Sequence, residues 1–234
     1  MHQFIYNGRS SRDFGLILSG EDTWKKTIPD LERTSIPGRN GDLLLFNKRY
    51  SNVDITYHIG IKREFPTNYG AFMSFLLKDP GYHRLEDSYH PEYFRQAVME
   101  TEVSPKMGTR NHNGTFDVTF SCKPQMYLKS GERKQVLTGS GTVFNPTSFD
   151  AKPLLRIYGE GQITIGGEIV TVTECDEYTD LDCELEDAYK GSENRNGFLI
   201  LSSGDFPVLK PGETSIIFGS GITCIDLIPR WWTL

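Results

Sequence analysis

Long apolar runs are missing from this 234-residue sequence. Leu43 to Phe46, as long as any, falls far short of the roughly 20 residues that cross a bilayer as a helix. Residues 1–20 hold Arg9 and Arg12 but no continuous apolar segment of the kind a secretion signal needs. The expectation is a soluble chain, made in the cytoplasm and without membrane contact. Cysteine is scarce: Cys122, Cys175, Cys183 and Cys224 are all there are, and none forms a C-x-x-C pair. That spacing offers neither a disulfide framework nor a zinc knuckle, so four reduced thiols are expected. An excess of positive charge is also absent. The formal charge of −6 disfavours sequence-specific nucleic-acid binding, because affinity for phosphate comes mainly from clustered Lys and Arg.

Motifs that carry catalysis are missing too. No G-x-S-x-G, G-x-x-x-x-G-K-[ST] or H-E-x-x-H occurs. Asp13-Phe14-Gly15 spells the magnesium-binding triplet of kinases but has no upstream glycine loop, lysine strand or catalytic loop, which makes it chance. Gly139-Ser140-Gly141 and Gly159-Glu160-Gly161 read as turns between strands rather than phosphate cradles. The histidines, His2, His58, His83, His90 and His112, show no metal-ligand spacing. The sharpest local feature is acidic: Glu174, Asp176, Glu177, Asp180, Asp182, Glu184, Glu186 and Asp187, with no basic residue among them. Clustered carboxylates suit calcium, and Asp180 and Asp182 are the candidate cation ligands. The favoured reading differs: Leu181, Cys183 and Leu185 alternate inward, leaving Asp182, Glu184 and Glu186 on a solvated strand face. Two such carboxylates could also serve glycoside hydrolysis, but any acidic β-sandwich offers such pairs. The chain reads as a non-enzyme without cofactor or metal.

What is present points to β-structure. Val53, Ile55, Tyr57, Ile59 and Ile61 alternate with Asp54, Thr56, His58 and Gly60, as in a half-buried strand. Phe116, Val118, Phe120 and Cys122 repeat the pattern. Apolar runs around Gly166-Gly167 predict a hairpin with a tight turn, and those flanking Gly219-Ser220-Gly221 predict another. One helix is predicted from Pro66, with Tyr69, Phe72, Met73, Leu76 and Leu77 on its apolar face and Asp79-Pro80-Gly81 as its stop. A shorter helical turn is expected at Pro91 to Ala97. The polar stretch Tyr127 to Lys134 marks a boundary between domains 1–131 and 132–234. The first has 17 Lys+Arg and 15 Asp+Glu, net +2; the second has 8 and 16, net −8.

Several motifs resemble, in order, those of siphophage distal tail proteins (the Dit family). They are Phe4-Ile5-Tyr6-Asn7-Gly8 with Ser10-Ser11-Arg12-Asp13-Phe14-Gly15-Leu16, then Ile36-Pro37-Gly38-Arg39-Asn40-Gly41-Asp42-Leu43, then Pro80-Gly81-Tyr82-His83-Arg84-Leu85, Glu86-Asp87-Ser88 and Tyr93-Phe94-Arg95-Gln96-Ala97. Asp205-Phe206-Pro207-Val208-Leu209-Lys210-Pro211-Gly212 and Pro229-Arg230-Trp231-Trp232 continue the likeness to the end. The resemblance implies a mainly β fold. Its N-terminal β-sandwich would carry one helix and an extended hairpin and form a hexameric ring. Its C-terminal β-sandwich would be galectin-like, or like a carbohydrate-binding module. The implied role is structural. The ring would join the tail tube, through the major tail protein, to the tail-tip hub or tail-associated lysin protein and the end of the tape measure protein. It would leave a channel for DNA, and in some relatives it docks a receptor-binding protein. The implied location is the virion, at the distal end of the tail, after assembly in the host cytoplasm. Pro37, Gly38, Arg39, Asn40, Gly41 and Asp42 form the candidate ring-interface loop, with Arg39 able to reach a carboxylate; taken alone, the loop reads as an ordinary surface hairpin. The alternative function is a carbohydrate-binding module for host-surface glycans, with Trp231 and Trp232 as stacking candidates. Adjacent tryptophans at a strand end more often split between core and neighbour.

Overall fold

The computed structural model describes residues 2–234 as a mainly β chain. It divides into two compact units: the first runs to Met126 and takes in Leu234, the second is Tyr127–Thr233. The first holds β1 (Phe4–Tyr6), β2 (Arg9–Ser10), β3 (Leu16–Ser19), β4 (Pro29–Thr34), β5 (Leu43–Tyr50), β6 (Val53–Ile61), helix α1 (Phe65–Leu77), β7 (His83–Asp87), β8 (Tyr93–Met99), β9 (Lys106–Met107) and β10 (Gly114–Cys122).

Antiparallel pairing follows the order β2-β1-β7-β8-β10-β6-β3, with β9 added to β10. The two alternating segments of the sequence are its centre: β6 pairs with β10 from Val53 opposite Cys122 to Ile61 opposite Gly114. Their apolar residues are buried on one face. The sheet curls. Phe4 on β1 and Tyr57 on β6 are several strands apart in the pairing order, yet their rings are 4.9 Å apart. Helix α1 packs its apolar face, Phe65, Phe72 and Leu76, into the core so enclosed, with the Phe72 ring 5.4 Å from that of Phe14. Pro66 sits in the first turn, as the sequence predicts. Leu77 is a correction: it is exposed, because the last helical residue lies about 100° around the axis from Leu76. The expected helical turn at Pro91 to Ala97 is also corrected. From Tyr93 the chain is strand β8, paired with β7 through Ala97 opposite His83 and with β10 through Ala97 opposite Cys122. Ladder bonds on both sides outweigh the local preference for a short turn.

Strand β11 (Met126–Leu128) stands where the units part. The second unit continues with β12 (Gln135–Leu137), β13 (Gly141–Asn145), β14 (Leu154–Gly159), β15 (Gly161–Ile165), β16 (Glu168–Val172), β17 (Thr179–Asp182), β18 (Asp187–Lys190), β19 (Glu193–Asn194), β20 (Leu199–Leu201), β21 (Gly212–Phe218), β22 (Ile222–Ile228) and β23 (Trp232–Thr233). One sheet runs β12-β22-β14-β17-β18-β19 and the other β13-β21-β15-β16-β20. Leu155, Ile157 and Leu227 from the first meet Ile163, Val170 and Ile216 from the second in one core, the arrangement of a β-sandwich.

The hairpin at Gly166-Gly167 is as predicted, with both glycines at positive φ, 57° and 100°, as a primed turn requires. The second predicted hairpin is corrected. Strand β21 pairs with β13 and β15, whereas β22 pairs with β12 and β14, so Gly219-Ser220-Gly221 carries the chain from one sheet to the other. Gly159-Glu160-Gly161 makes the reverse crossing beside it. A Cβ on Gly221 would lie 2.1 Å from the Glu160 carbonyl oxygen, and one on Gly159 2.1 Å from that of Gly221. The crossings press backbone on backbone, which only glycine allows.

Candidate assembly surface

Strands β4 and β5 form a two-stranded sheet of their own. This arm closes at its root, where Thr27 Oγ1 donates to the Ser51 carbonyl at 2.6 Å and Ser51 N donates to that of Ile28 at 3.2 Å. A bulge with Lys48 at φ 56° interrupts the register near the root. Beyond it Leu31 faces Phe46, Glu32 faces Leu45, Arg33 faces Leu44 and Thr34 faces Leu43. Directly opposed residues share a face. One face therefore carries Leu31, Phe46, Arg33 and Leu44, the other Glu32, Leu45, Thr34 and Leu43. Both are apolar and neither is covered: Leu43 to Phe46 are 44–58% exposed.

The six residues of the candidate ring-interface loop lie together at the arm's tip, all exposed. Arg39 N donates to the Ile36 carbonyl at 3.1 Å across Pro37-Gly38, and Gly38 has φ 78°. Proline followed by a positive-φ glycine is the signature of a type II turn. Arg39 makes no ion pair among the described residues and projects from the tip.

A groove of about 850 Å³ lies on the outer face of the sheet. Its floor is a row across four strands: Ile17 on β3 is opposite Gly60 on β6, Gly60 opposite Thr115 on β10, and Thr115 opposite Lys106 on β9. Gly60 leaves the middle of that row without a side chain, and its Cβ position meets nothing within 4 Å. Met107 adds an apolar wall, and Lys62, Arg63 and Lys106 add charge. None of these three cations is in an ion pair among the described residues. In the adjacent row His58 Nδ1 lies 2.7 Å from Asp117 Oδ1.

The acidic stretch departs from the sequence reading. Asp182 is buried, Leu185 is exposed, and strand β17 ends at Asp182, so there is no solvated face of alternating carboxylates. Bases remote in sequence meet the acids in space. Arg156 clasps Asp180 at 2.7 and 2.8 Å, and Arg230 clasps Asp182 at 2.6 and 2.8 Å. Lys190 pairs with Asp176 and Glu177, Arg195 with Glu174, and Lys152 with Glu186. Asp180 and Asp182 thus give both carboxylate oxygens to guanidinium groups. Among the described residues no group of three or more His, Cys, Asp or Glu converges as metal ligands. Burial alone would raise the pKa of Asp182. The Arg230 hydrogen bonds, together with the backbone N–H groups of Leu185 and Glu184, outweigh it and hold the carboxyl below the usual range. Cys122 and Cys183 are buried free thiols, each pushed up to about 12 by burial.

The arm is the extended hairpin that the resemblance implies; the Gly60 groove, and the bare apolar faces of the arm, are what sequence reasoning missed. Leu43 to Phe46 did carry a signal. A continuous apolar run belongs on a strand covered on both faces, and among the described residues nothing covers either one.

No family model matches the chain, and no curated protein matches it. Among solved structures, SPP1 Dit, described as a paradigm of the hub adsorption apparatus in phages that infect Gram-positive bacteria, is 14% identical with a TM-score of 0.73 over 100% of both chains. The baseplate of phage P2 in its activated conformation with Ca is 9% identical with a TM-score of 0.50, over 97% of this chain and 98% of that one. At such identities the likeness is one of fold, and it runs through both units: this chain has the fold of a phage distal tail protein.

Proposed function

We propose that the chain is a structural hub at the distal end of a phage tail, and not an enzyme. Six copies close into a ring through the N-terminal domain. The ring joins the tail tube of major tail protein to the tail-tip hub or tail-associated lysin protein, beside the end of the tape measure protein, and leaves a channel for DNA. The C-terminal galectin-like domain faces outward, where a receptor-binding protein can dock. The observation that carries this reading is that the likeness to SPP1 Dit covers all of both chains. A shared sandwich alone would match one unit. The exposed arm supports it further, since an isolated two-stranded hairpin is marginally stable in water and gains order from a partner.

Glycan binding gains less support. The outer face of the β13-β21-β15-β16-β20 sheet presents Ile217, Ile169 and Ile200 with threonines between them, and Phe144, exposed opposite Glu213 on the edge strand β13, stands alone rather than in a platform of aromatic rings. Trp231 is buried, and Trp232 stacks on Phe149 while its Nε1–H donates to the Asp150 carbonyl at 2.9 Å. Native mass spectrometry and electron microscopy of the purified chain test the proposal. Closed rings of six copies are expected. Single copies at all concentrations, together with retention on a glycan array, would replace the hub by the sugar-binding module.

A further inference from the structure

The arm and the groove both belong to the first unit, and each carries what the other lacks. The groove has a bare floor at Gly60, apolar walls at Ile17 and Met107, and three cations without ion pairs. The arm presents leucines with nothing over them and Glu32, an exposed acid that is likewise in no ion pair among the described residues. We propose that the arm face bearing Glu32, Leu43 and Leu45 lies in the Gly60 groove of a second copy of this chain, an inference that rests on the ring reading above.

Charge chooses the face. The opposite face carries Arg33, which would meet Lys62, Arg63 and Lys106 as like charge, whereas Glu32 meets them as opposite charge. Topology chooses the occupant. The arm leads directly into β6 at its Val53 end, and the groove lies at Gly60 on the same strand, about 24 Å further along at the usual rise. A donor surface at one end of a strand and an acceptor surface at the other make a head-to-tail contact between copies. Such contacts generate rings when the rotation closes. Stability agrees: Leu43 and Leu45 leave water on docking, and the groove loses its apolar exposure in the same step.

The test uses the full chain. Gly60→Trp fills the groove from a position with open space and ordinary backbone φ. Glu32→Arg reverses the charge on an exposed arm residue. Each should weaken the oligomer roughly tenfold or more in native mass spectrometry, with the thermal melt unchanged, and Lys106→Glu should restore assembly to Glu32→Arg. Mixed chains carrying Leu45→Cys and Met107→Cys should form a disulfide-linked pair on mild oxidation, while unsubstituted chains should not. An oligomer that survives Gly60→Trp and gives no Leu45→Cys to Met107→Cys link would overturn the docking site and leave the ring reading standing. Unsubstituted chains that are single at every concentration would overturn both. If Gly60→Trp does not fold, the cross-link decides.

Discussion

At the scale of the residue, the second unit is held by arginine–aspartate clasps that no local sequence pattern announces. Asp182 and Arg230 are 48 positions apart, yet they meet in a bidentate pair with the carboxylate buried. Asp182 Oδ1 also accepts from the backbone N–H groups of Glu184 and Leu185, which turns the chain out of β17. Removing one partner of a buried pair leaves the other charge uncompensated. Asp182→Asn should therefore cost about 3 kcal/mol, read from urea unfolding. A pH dependence accompanies it. Because the folded pKa of Asp182 is lowered, its contribution is present above the unfolded value of about 3.9 and is lost as pH falls through the lower folded value. Asp87 has the same sign: its burial cost is outweighed by hydrogen bonds from His90 and Tyr57. Stability should thus fall steeply below about pH 4, and the slope should be shallower in Asp182→Asn.

At the scale of the element, strands and helix were legible where one period governs burial. Val53 to Ile61 and Phe116 to Cys122 reveal themselves because each packs one face on the core. The helix from Pro66 reveals itself for the same reason. Pairing partners were not legible. Two apolar runs around a glycine turn describe a hairpin and a sandwich crossing equally well, and only the rest of the fold separates Gly166-Gly167 from Gly219-Ser220-Gly221. The crossing makes its own prediction. Gly221 has φ 91°, and its Cβ would press on the Glu160 carbonyl, so Gly221→Ala should destabilise by about 2–4 kcal/mol. Gly167→Ala, also at positive φ but with open space around it, should cost less in the same calorimetric comparison. The arm allows the opposite expectation. Nearly all its side chains are exposed and its ends are joined by the Ser51 to Ile28 hydrogen bond. Replacing residues 29–50 by Asn-Gly bridges that pair with a two-residue turn. The melt should change by no more than about 0.5 kcal/mol while the ring is lost. A large drop in stability would mean that the arm serves the monomer rather than the assembly.

At the scale of the molecule, the two units differ in charge as well as fold. The sequence reading places the boundary after Gly131, within the polar stretch 127–134, whereas the compact units part after Met126. A cut after Met126 also keeps the second unit's own bonds intact. Leu128 N donates to the Trp231 carbonyl at 2.9 Å, and Arg230 N to that of Gly131 at 2.8 Å. Divided there, residues 1–126 hold 16 basic and 15 acidic side chains, net +1, and residues 127–234 hold 9 and 16, net −7. Near-neutral copies can approach and pair opposite charges, whereas six strongly acidic ones repel at short range. The arm, its tip loop and the Gly60 groove all lie in the near-neutral part. Residues 1–126 should accordingly form the oligomer alone, and residues 127–234 should be a folded monomer, as read by analytical ultracentrifugation. Raising salt should loosen the first fragment only as far as Glu32 and the groove cations contribute, since exposed pairs are screened within roughly 8 Å at physiological ionic strength. The apolar share, from Leu43 and Leu45, should persist. A monomeric 1–126 beside an oligomeric 127–234 would move the ring to the second unit, and the arm's uncovered leucines would then require a partner from outside it.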